Sequence, residues 1–186
     1  FQTEKFYDLT GTLTYITVLS FVVFIKKTTV HEMLDLRSLL IYGCIMIWTI
    51  RLGGFLFWRV LKDGHDKRFK TILPSFTQLL MTWTLSAAWV SLSALVALTV
   101  ITSVEMGVIG WLGLALWIFG FGFEVLADHQ KTKFKADPTN EGKFITGGLW
   151  DVSRHPNYFG EIVLWLGINV MAIPVMSGLQ FVSLIS

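Results

Sequence analysis

Five long apolar stretches, separated by polar segments, dominate the chain. They cover residues 9–25, 38–61, 75–103 and 108–127, and a fifth begins near residue 156 and is interrupted by Pro174. A helix needs about 20 mainly apolar residues to cross the hydrocarbon core of a bilayer, and each stretch approaches or exceeds that length. The pattern therefore predicts an all-α fold, a polytopic transmembrane helical bundle of at least five to six spans in a single membrane domain over residues 1–186.

The composition agrees with this prediction. Of 186 residues, 53% are hydrophobic and 15% charged, so the chain is too apolar for a soluble domain of its size. The single Cys44 rules out an internal disulfide, and the four histidines are scattered without ligand spacing, so no metal site is predicted. The first residue is Phe1 and the apolar end, 175–186, has no polar stop, which indicates a part of a longer protein truncated at both ends.

Lysine and arginine are distributed unevenly between the two predicted sides of the membrane. One side, with the N-terminal segment, the loop after Arg59 and the 128–156 loop, holds 11 of them, and the other holds only Lys26, Lys27 and Arg37. Cytosolic loops carry the excess of positive charge in membrane proteins. We therefore expect the first side, including the glycine- and proline-containing 128–156 loop, to face the cytosol.

Polar residues distinguish two of the spans. The first contains Thr10, Thr12, Thr14 and Thr17, which predicts that its early half faces protein or a cavity rather than lipid. The third, 75–103, has no formal charge and is predicted to be a purely structural, lipid-facing helix.

Three ionisable residues, Arg51, Glu124 and Glu161, lie inside predicted spans. Charges there cost about 2.5–3.5 kcal/mol by insertion scales, so they are expected to face a cavity or a partner. Helical spacing puts Arg51 on one face with Arg59, and Glu124 on one face with Asp128 and Lys131. We expect the three to converge on one pocket open to the cytosol; the alternative is a buried Arg–Glu clamp that only fixes helix register.

A polar turn that runs into an apolar helix, residues 147–161, carries the densest chemistry. Pro156 suits the first position of a helix, so a helix should begin near His155 or Pro156. Asn157 and Glu161 then share a face, and Gly160 between them permits a close approach. The first-turn N–H groups, with Arg154 and His155, would hold an anionic group. The alternative is an ordinary interfacial helix start with a snorkelling arginine.

The motif runs from Gly147-Gly148-Leu149-Trp150 through Asn157-Tyr158-Phe159-Gly160-Glu161, and Glu124-x-x-x-Asp128 precedes it. It resembles the C-terminal half of the steroid 5α-reductase family. A branch of that family carries the whole Ser-Arg-His-Pro-Asn-Tyr-Phe-Gly-Glu run. The resemblance covers residues 109–172 well and 51–69 more loosely. It implies an enzyme of the endoplasmic reticulum or bacterial inner membrane that uses NADPH to reduce a carbon–carbon double bond conjugated to a carbonyl in a lipid or steroid-like substrate.

The resemblance also implies roles for individual residues. Asn157 and Glu161 would hold the nicotinamide end of NADPH, while Glu124 and Asp128 would contribute hydrogen bonds near the ribose. The family has Asn at the Glu124 position and Arg at the Lys143 position. The cations of the predicted site would bind the negative charges of the dinucleotide. The full predicted cofactor-binding set is Arg51, Glu124, Asp128, Lys131, Lys143, Arg154, His155, Asn157, Tyr158 and Glu161.

The group that polarises the substrate carbonyl is predicted at the start of the chain. Steroid reductases use a Glu and a Tyr, for which Glu4 and Tyr7 are the loose counterparts here. The family's Tyr would stand three residues before Arg51, where this sequence has Trp48, which donates a hydrogen bond but cannot pass a proton. Interfacial anchoring is the alternative role for Glu4 and Tyr7.

Two other functions compete with the reductase. Arg154-His155-Pro156-x-Tyr158 also resembles the isoprenylcysteine and phospholipid methyltransferases, which bind S-adenosylmethionine at such a turn. A non-catalytic, lipid-binding membrane protein is the third reading. Besides the substrate, the expected partners are membrane lipids; no nucleic acid is expected, and the oligomeric state is open.

Overall fold

The computed structural model describes residues 6–31, 33–64 and 69–185, and within those ranges it is helical without any strand. Among these residues, five helical segments are long and apolar enough to cross a membrane, which confirms the prediction of an all-α transmembrane bundle with at least five spans. The α-helices are α1 Tyr7–Ile25, α2 Leu36–Asp63, α3 Phe76–Ala94, α4 Val108–Ala136, α5 Leu149–Val152 and α6 Pro156–Ala172. A π-helical turn, Lys26–Val30, extends α1, and 3-10 helices cover Leu95–Ile101, Pro138–Asn140, Ile173–Val175 and Gly178–Ile185.

Local sequence signals explain where several helices begin and end. Asp35 caps α2 by accepting a 2.9 Å hydrogen bond from Ser38 N, and Ser75 caps α3. Gly64, with φ of +75°, ends α2 in the left-handed conformation that glycine adopts without strain. Pro156 is the first residue of α6, as the sequence predicts.

The chain divides into two compact units, Phe1–Glu105 with Pro174–Ser186, and Met106–Ile173. In the first unit α1 packs on α2, and both pack on the 3-10 helix Leu95–Ile101. Its core is made of buried apolar residues from these three elements: Tyr15, Leu19, Val22, Ile41, Ile45, Trp48, Val96 and Val100. The expectation of a single membrane domain stays a prediction.

A buried charged cluster joins three elements of the first unit. Lys26 is fully buried, and its Nζ lies 3.0 Å from both Asp35 Oδ2 and Val100 O. Arg37, 1% exposed, donates through Nη2 to the carbonyls of Thr99 and Thr102. These carbonyls lie at the end of the 3-10 helix, where backbone acceptors run out of helical donors; Thr99 O also accepts from Thr102 N at 3.3 Å.

This cluster corrects the prediction that the third span is purely lipid-facing. The span splits into α3 and the 3-10 helix Leu95–Ile101, and the second part is largely buried and accepts hydrogen bonds from Lys26 and Arg37. The sequence shows no charge in the span because the charges that bind it are supplied by α1 and α2.

The threonines of α1 only partly follow the prediction. Thr10, Thr14 and Thr17 are exposed, and each hydroxyl donates to the carbonyl four residues earlier, at 2.8–2.9 Å. Such back-bonding satisfies a hydroxyl within its own helix, so these positions need no cavity. Thr12 bonds in the same way but also lines a cavity between α1 and α2, in agreement with the prediction.

The second unit is built on an antiparallel pair, α4 and α6, that meets through glycine. A Cβ at Gly120 would lie 2.6 Å from the carbonyl of Gly160, and one at Gly113 would lie 2.7 Å from that of Gly167. Helices in membranes pack closely through small residues because backbone contact then replaces side-chain contact. The close approach expected at Gly160 is therefore made by a neighbouring helix, at Gly120 and Glu124.

Helix α4 is nine residues longer than predicted, since it continues from Ala127 to Ala136. The prediction places residues 128–136 in the irregular 128–156 loop, because that segment as a whole is polar and contains glycine and proline. Residues 128–136 themselves contain no glycine or proline, and Pro138 is the first residue that breaks the helix. Glu124 therefore lies about three turns from the end of its helix.

Candidate functional site

The first turns of α6 carry Asn157 and Glu161 on one face of the helix. Oδ1 of Asn157 is buried and has no hydrogen-bond partner among the residues that the structure describes. Buried amide oxygens are normally bonded, so this oxygen is available to a donor from a water molecule or a ligand. Pro156, buried at the first helical position, holds this turn in place.

Two carboxylates of α4 lie beside this turn. Glu124 is 2% exposed and Asp128 is 8% exposed. A Cβ at Gly160 would lie 2.6 Å from the backbone nitrogen of Glu124. Because α4 and α6 are antiparallel, Asp128, one turn further along α4, lies level with the start of α6. The structure therefore brings together the α4 and α6 elements of the predicted set.

Three further residues of the predicted set, at or just before the start of α6, are exposed. The rings of His155 and Tyr158 stack at 5.4 Å with an interplanar angle of 18°, and Arg154 is exposed next to them. Lys143 is also exposed, in the segment between α4 and α6. Cationic and aromatic groups at the start of a helix can meet an anionic ligand without prior desolvation.

The segment before α6 folds back onto the end of α4 through contacts that sequence reasoning missed. Trp150 Nε1 donates to Ala127 O at 3.0 Å, and Gln130 Oε1 accepts from Leu149 N at 3.0 Å. Gly148 has φ of +64°, and a Cβ there would meet the Gln130 side chain at 2.6 Å. The Gly-Gly-Leu-Trp part of the motif is thus a docking element; its signal in the sequence is a tryptophan two residues after a pair of glycines.

Lys131 takes part in the same docking. Its Nζ lies 4.7 Å from the centre of the Trp150 ring, within the range of a cation–π contact. A role for Lys131 in binding a phosphate stays a prediction.

Arg51 belongs to the first compact unit. Its guanidinium carbon lies 5.6 Å from the Phe55 ring centre, and that of Arg59 lies 6.0 Å from the same ring, so the two arginines do share one face of α2. The expected convergence of Arg51 with Glu124 and Glu161 on one pocket stays a prediction.

Of the two residues predicted to polarise the substrate carbonyl, the structure describes only Tyr7. Glu4 lies outside the described residues. Tyr7 begins α1, donates to Thr82 O at 3.4 Å and has its ring between Phe69 and Trp83, at 4.9 and 5.0 Å. These contacts fix the tyrosine to neighbouring elements, while its role as an acid stays a prediction.

The residues of the second unit determine which ligand groups the site can bind. The α4–α6 site offers buried carboxylates, a buried amide oxygen and cations at its exposed edge. Carboxylate and amide oxygens accept hydrogen bonds, so they suit a ligand with amide or hydroxyl donors, and the cations suit anionic groups on the same ligand.

Comparison with known proteins agrees with the resemblance in the motif. The whole chain, residues 1–186, matches the family described as "Protein of unknown function (DUF1295)". The chain belongs to this family. The DUF1295 chain is also 37% identical over 59 residues to "Steroid 5-alpha-reductase DET2" of Gossypium hirsutum, covering 32% of the chain and 23% of that relative.

Two further relatives match shorter segments. "3-oxo-5-alpha-steroid 4-dehydrogenase 1" of Mus musculus is 34% identical over 55 residues, 30% of the chain and 22% of the relative. "Probable O-methyltransferase ustE" of Ustilaginoidea virens is 39% identical over 46 residues, 25% of the chain and 16% of the relative. The matches thus span less than a quarter of each relative's length. No solved structure matches the chain.

Proposed function

We propose that this DUF1295 chain is an integral membrane reductase that binds NADPH at the start of α6 and reduces a conjugated carbon–carbon double bond in a lipid or steroid-like substrate. Two of its relatives are named as a steroid reductase and a steroid dehydrogenase, and both align over less than a third of the chain. Because five of the described helices are apolar enough to cross a membrane, we expect the substrate to be soluble in the membrane.

The observation that carries the proposal is the buried, unpartnered Oδ1 of Asn157. The carboxamide of nicotinamide carries an N–H donor of the kind that this oxygen lacks among the described residues. Glu124 and Asp128 supply acceptors for ribose hydroxyls, and Lys143 and Arg154 supply charge for phosphates. The residues present therefore fit NADPH.

NADPH, when bound, supplies the hydride. The chain's own residues have to hold the cofactor and the acceptor carbon in a reactive geometry and to exclude water from both. The α4–α6 pair suits the first task because its backbones are in contact and cannot shift far. The exposed residues at the start of α6 are expected to face the cytosol, because lysine and arginine are in excess on that side of the membrane.

An S-adenosylmethionine-dependent methyltransferase is the second candidate, favoured by the similarity to the Ustilaginoidea virens protein named as a probable O-methyltransferase. The same exposed turn would then hold the carboxylate of S-adenosylmethionine. A buried amide oxygen beside two carboxylates suits a neutral carboxamide better than an anionic carboxylate, which favours the reductase.

The test is a titration of the purified protein in mild detergent with NADPH and, separately, with S-adenosylmethionine. We expect saturable binding of NADPH, weakened at least tenfold by Asn157→Ala and by Glu161→Ala, with both variants still inserted in membranes. The matched control is Lys27→Glu, an exposed cation after α1, which should leave affinity unchanged. Binding of S-adenosylmethionine alone would favour the methyltransferase, and unchanged NADPH affinity in Asn157→Ala would refute the assigned site.

A further inference from the structure

A buried arginine of the first unit has hydrogen-bond donors that no described residue accepts. Arg37 is 1% exposed, and its Nη2 donates to the carbonyls of Thr99 and Thr102. Its Nε and Nη1 are also buried, and neither has a hydrogen-bond partner in the part of the chain that the structure describes. A charged donor left unpaired in a buried place costs more free energy than a neutral one. Arg37 is therefore stabilised by any further acceptor that reaches these two nitrogens.

The other acceptors of the charged cluster already bind other donors. Asp35 accepts through Oδ1 from Ser38 N at 2.9 Å and through Oδ2 from Lys26 Nζ at 3.0 Å. Val100 O accepts from Lys26 Nζ at 3.0 Å and from Ser38 Oγ at 2.9 Å. These contacts satisfy Lys26 and leave Nε and Nη1 of Arg37 without an acceptor.

The charges of the described part of this cluster do not balance. Two buried cations, Lys26 and Arg37, share the carboxylate of Asp35, which leaves one positive charge uncompensated. A water molecule accepts hydrogen bonds from a guanidinium group but does not compensate its charge, whereas an anion does both. The charges therefore favour an anion. Glu32, which lies outside the described residues, is the alternative from within the chain.

The position of Arg37 indicates which anion fits. The arginine is the second residue of α2, and a candidate membrane span begins next to it at Leu36, so it is expected at the depth of phospholipid head groups. Its guanidinium donates to the carbonyl of the exposed Thr102, so it lies just below the surface of the unit. Guanidinium groups bind phosphate strongly because they combine charge with several N–H donors. A phosphate group, on a lipid or free, therefore suits this position.

We propose that Arg37 binds one phosphate group at the edge of the cluster formed by Lys26, Asp35 and Ser38. The phosphate belongs either to the head group of an anionic phospholipid or to free phosphate. Binding compensates the excess positive charge and holds together the π-helical turn after α1, the start of α2 and the 3-10 helix Leu95–Ile101. It needs no NADPH, so it is measured independently of the reductase function.

Thermal unfolding of the purified chain in a nonionic detergent tests the site. The ligands are sodium phosphate and, separately, phosphatidylglycerol in mixed micelles. Sodium chloride at matched ionic strength is the control for screening, and phosphatidylcholine is the control for added lipid. We expect at least one of the two ligands to raise the unfolding temperature saturably, by about 3 °C or more above its control. A response to phosphatidylglycerol alone identifies a lipid head group, and a response to sodium phosphate identifies a site open to the free ion.

Two variants locate the effect. Arg37→Lys keeps the positive charge but lacks Nε and Nη1, so we expect it to abolish the shift. Lys27→Gln is the matched control, because it removes an exposed cation from the same turn and should retain the full shift. Glu32→Gln tests the internal alternative. If Glu32 supplies the acceptor, the wild type shows no shift and Glu32→Gln lowers the unfolding temperature as Arg37→Lys does, which overturns the proposal.

Hydrogen exchange on the wild type keeps the test decisive if Arg37→Lys fails to fold. The ligand that raises the unfolding temperature should slow exchange in peptides that cover 26–38 and 99–103. The proposal is overturned if neither ligand exceeds its control, if Arg37→Lys retains the full shift, or if the slowed peptides avoid both regions.

Discussion

Helices α4 and α6 meet through the backbones of their glycines, whereas α1 and α2 meet through side chains and leave a cavity between them. In the first pair, contact between backbones fixes the positions of Glu124, Asp128 and Asn157 relative to each other. In the second pair, the Thr12 side chain of α1 packs against Gly53 of α2, and threonine and aromatic side chains line the cavity beside this contact. The comparison teaches that one fold can contain both a closely packed helix pair that carries a polar site and a helix pair that leaves a mainly apolar cavity.

The largest expected effect comes from forcing the glycine contact apart. Gly160→Leu places a side chain where the backbone nitrogen of Glu124 lies 2.6 Å from the would-be Cβ, and Gly120→Leu would clash in the same way with the backbone nitrogen of Leu164. Overpacking costs about 1–3 kcal/mol or more, and here it must move a whole helix. We expect a marked fall in thermal stability in detergent and no measurable NADPH binding.

Gly122→Leu is the control for this prediction. Gly122 is on an exposed face of α4 with nothing within 4 Å of its would-be Cβ, so stability and binding should change little. Equal losses in Gly122→Leu and Gly160→Leu would mean that helix propensity, and not the glycine contact, is responsible.

The next effect concerns the charged cluster that holds the first unit together. Asp35→Asn removes the carboxylate 3.0 Å from buried Lys26 Nζ, and we expect it to reduce the free energy of unfolding by about 1.5–3 kcal/mol, as for hydrogen bonds to charged groups. Chemical denaturation in mild detergent measures this. A change below about 0.5 kcal/mol would show that the cluster does not stabilise the unit.

The cluster also predicts a pH dependence. Burial raises the pKa of Asp35, but hydrogen bonds from Ser38 and Lys26 outweigh this and lower the pKa from 3.8 to about 2. A lowered folded-state pKa stabilises the protein above the unfolded value and loses that effect as pH falls. The difference in stability between wild type and Asp35→Asn should therefore be constant above about pH 5 and shrink between pH 4 and pH 2; a constant difference throughout would contradict the assigned contacts.

A smaller effect is expected from the docking of the segment before α6. Trp150→Phe keeps an aromatic ring at this position but removes the 3.0 Å hydrogen bond from Nε1 to the carbonyl of Ala127. We expect a loss of about 1 kcal/mol in stability and a modest, several-fold loss in NADPH affinity. Trp111→Phe, at an exposed position of α4, is the control; equal effects in both variants would remove the docking role.

Hydropathy predicted the spans, and Pro156 predicted the start of α6. Both features follow from neighbouring residues in the sequence and do not depend on how the helices pack. The extension of α4 to Ala136 was missed because the polar segment 128–156 was treated as one loop, although no glycine or proline lies between Asp128 and Pro138. The glycine contact was readable in principle, since Gly113 and Gly120, like Gly160 and Gly167, are seven residues apart. The cavity between α1 and α2 and the unpaired nitrogens of Arg37 were not readable, because they depend on how neighbouring helices pack.

Hydrogen exchange with and without NADPH tests the central claim most directly. We expect NADPH to slow exchange in peptides that cover 128–136 and 144–161, where the end of α4 and the start of α6 meet, and to leave peptides that cover 26–37 unchanged. Slowed exchange that avoids the first two regions, or no change at saturating NADPH, would contradict a dinucleotide site at the α4–α6 pair.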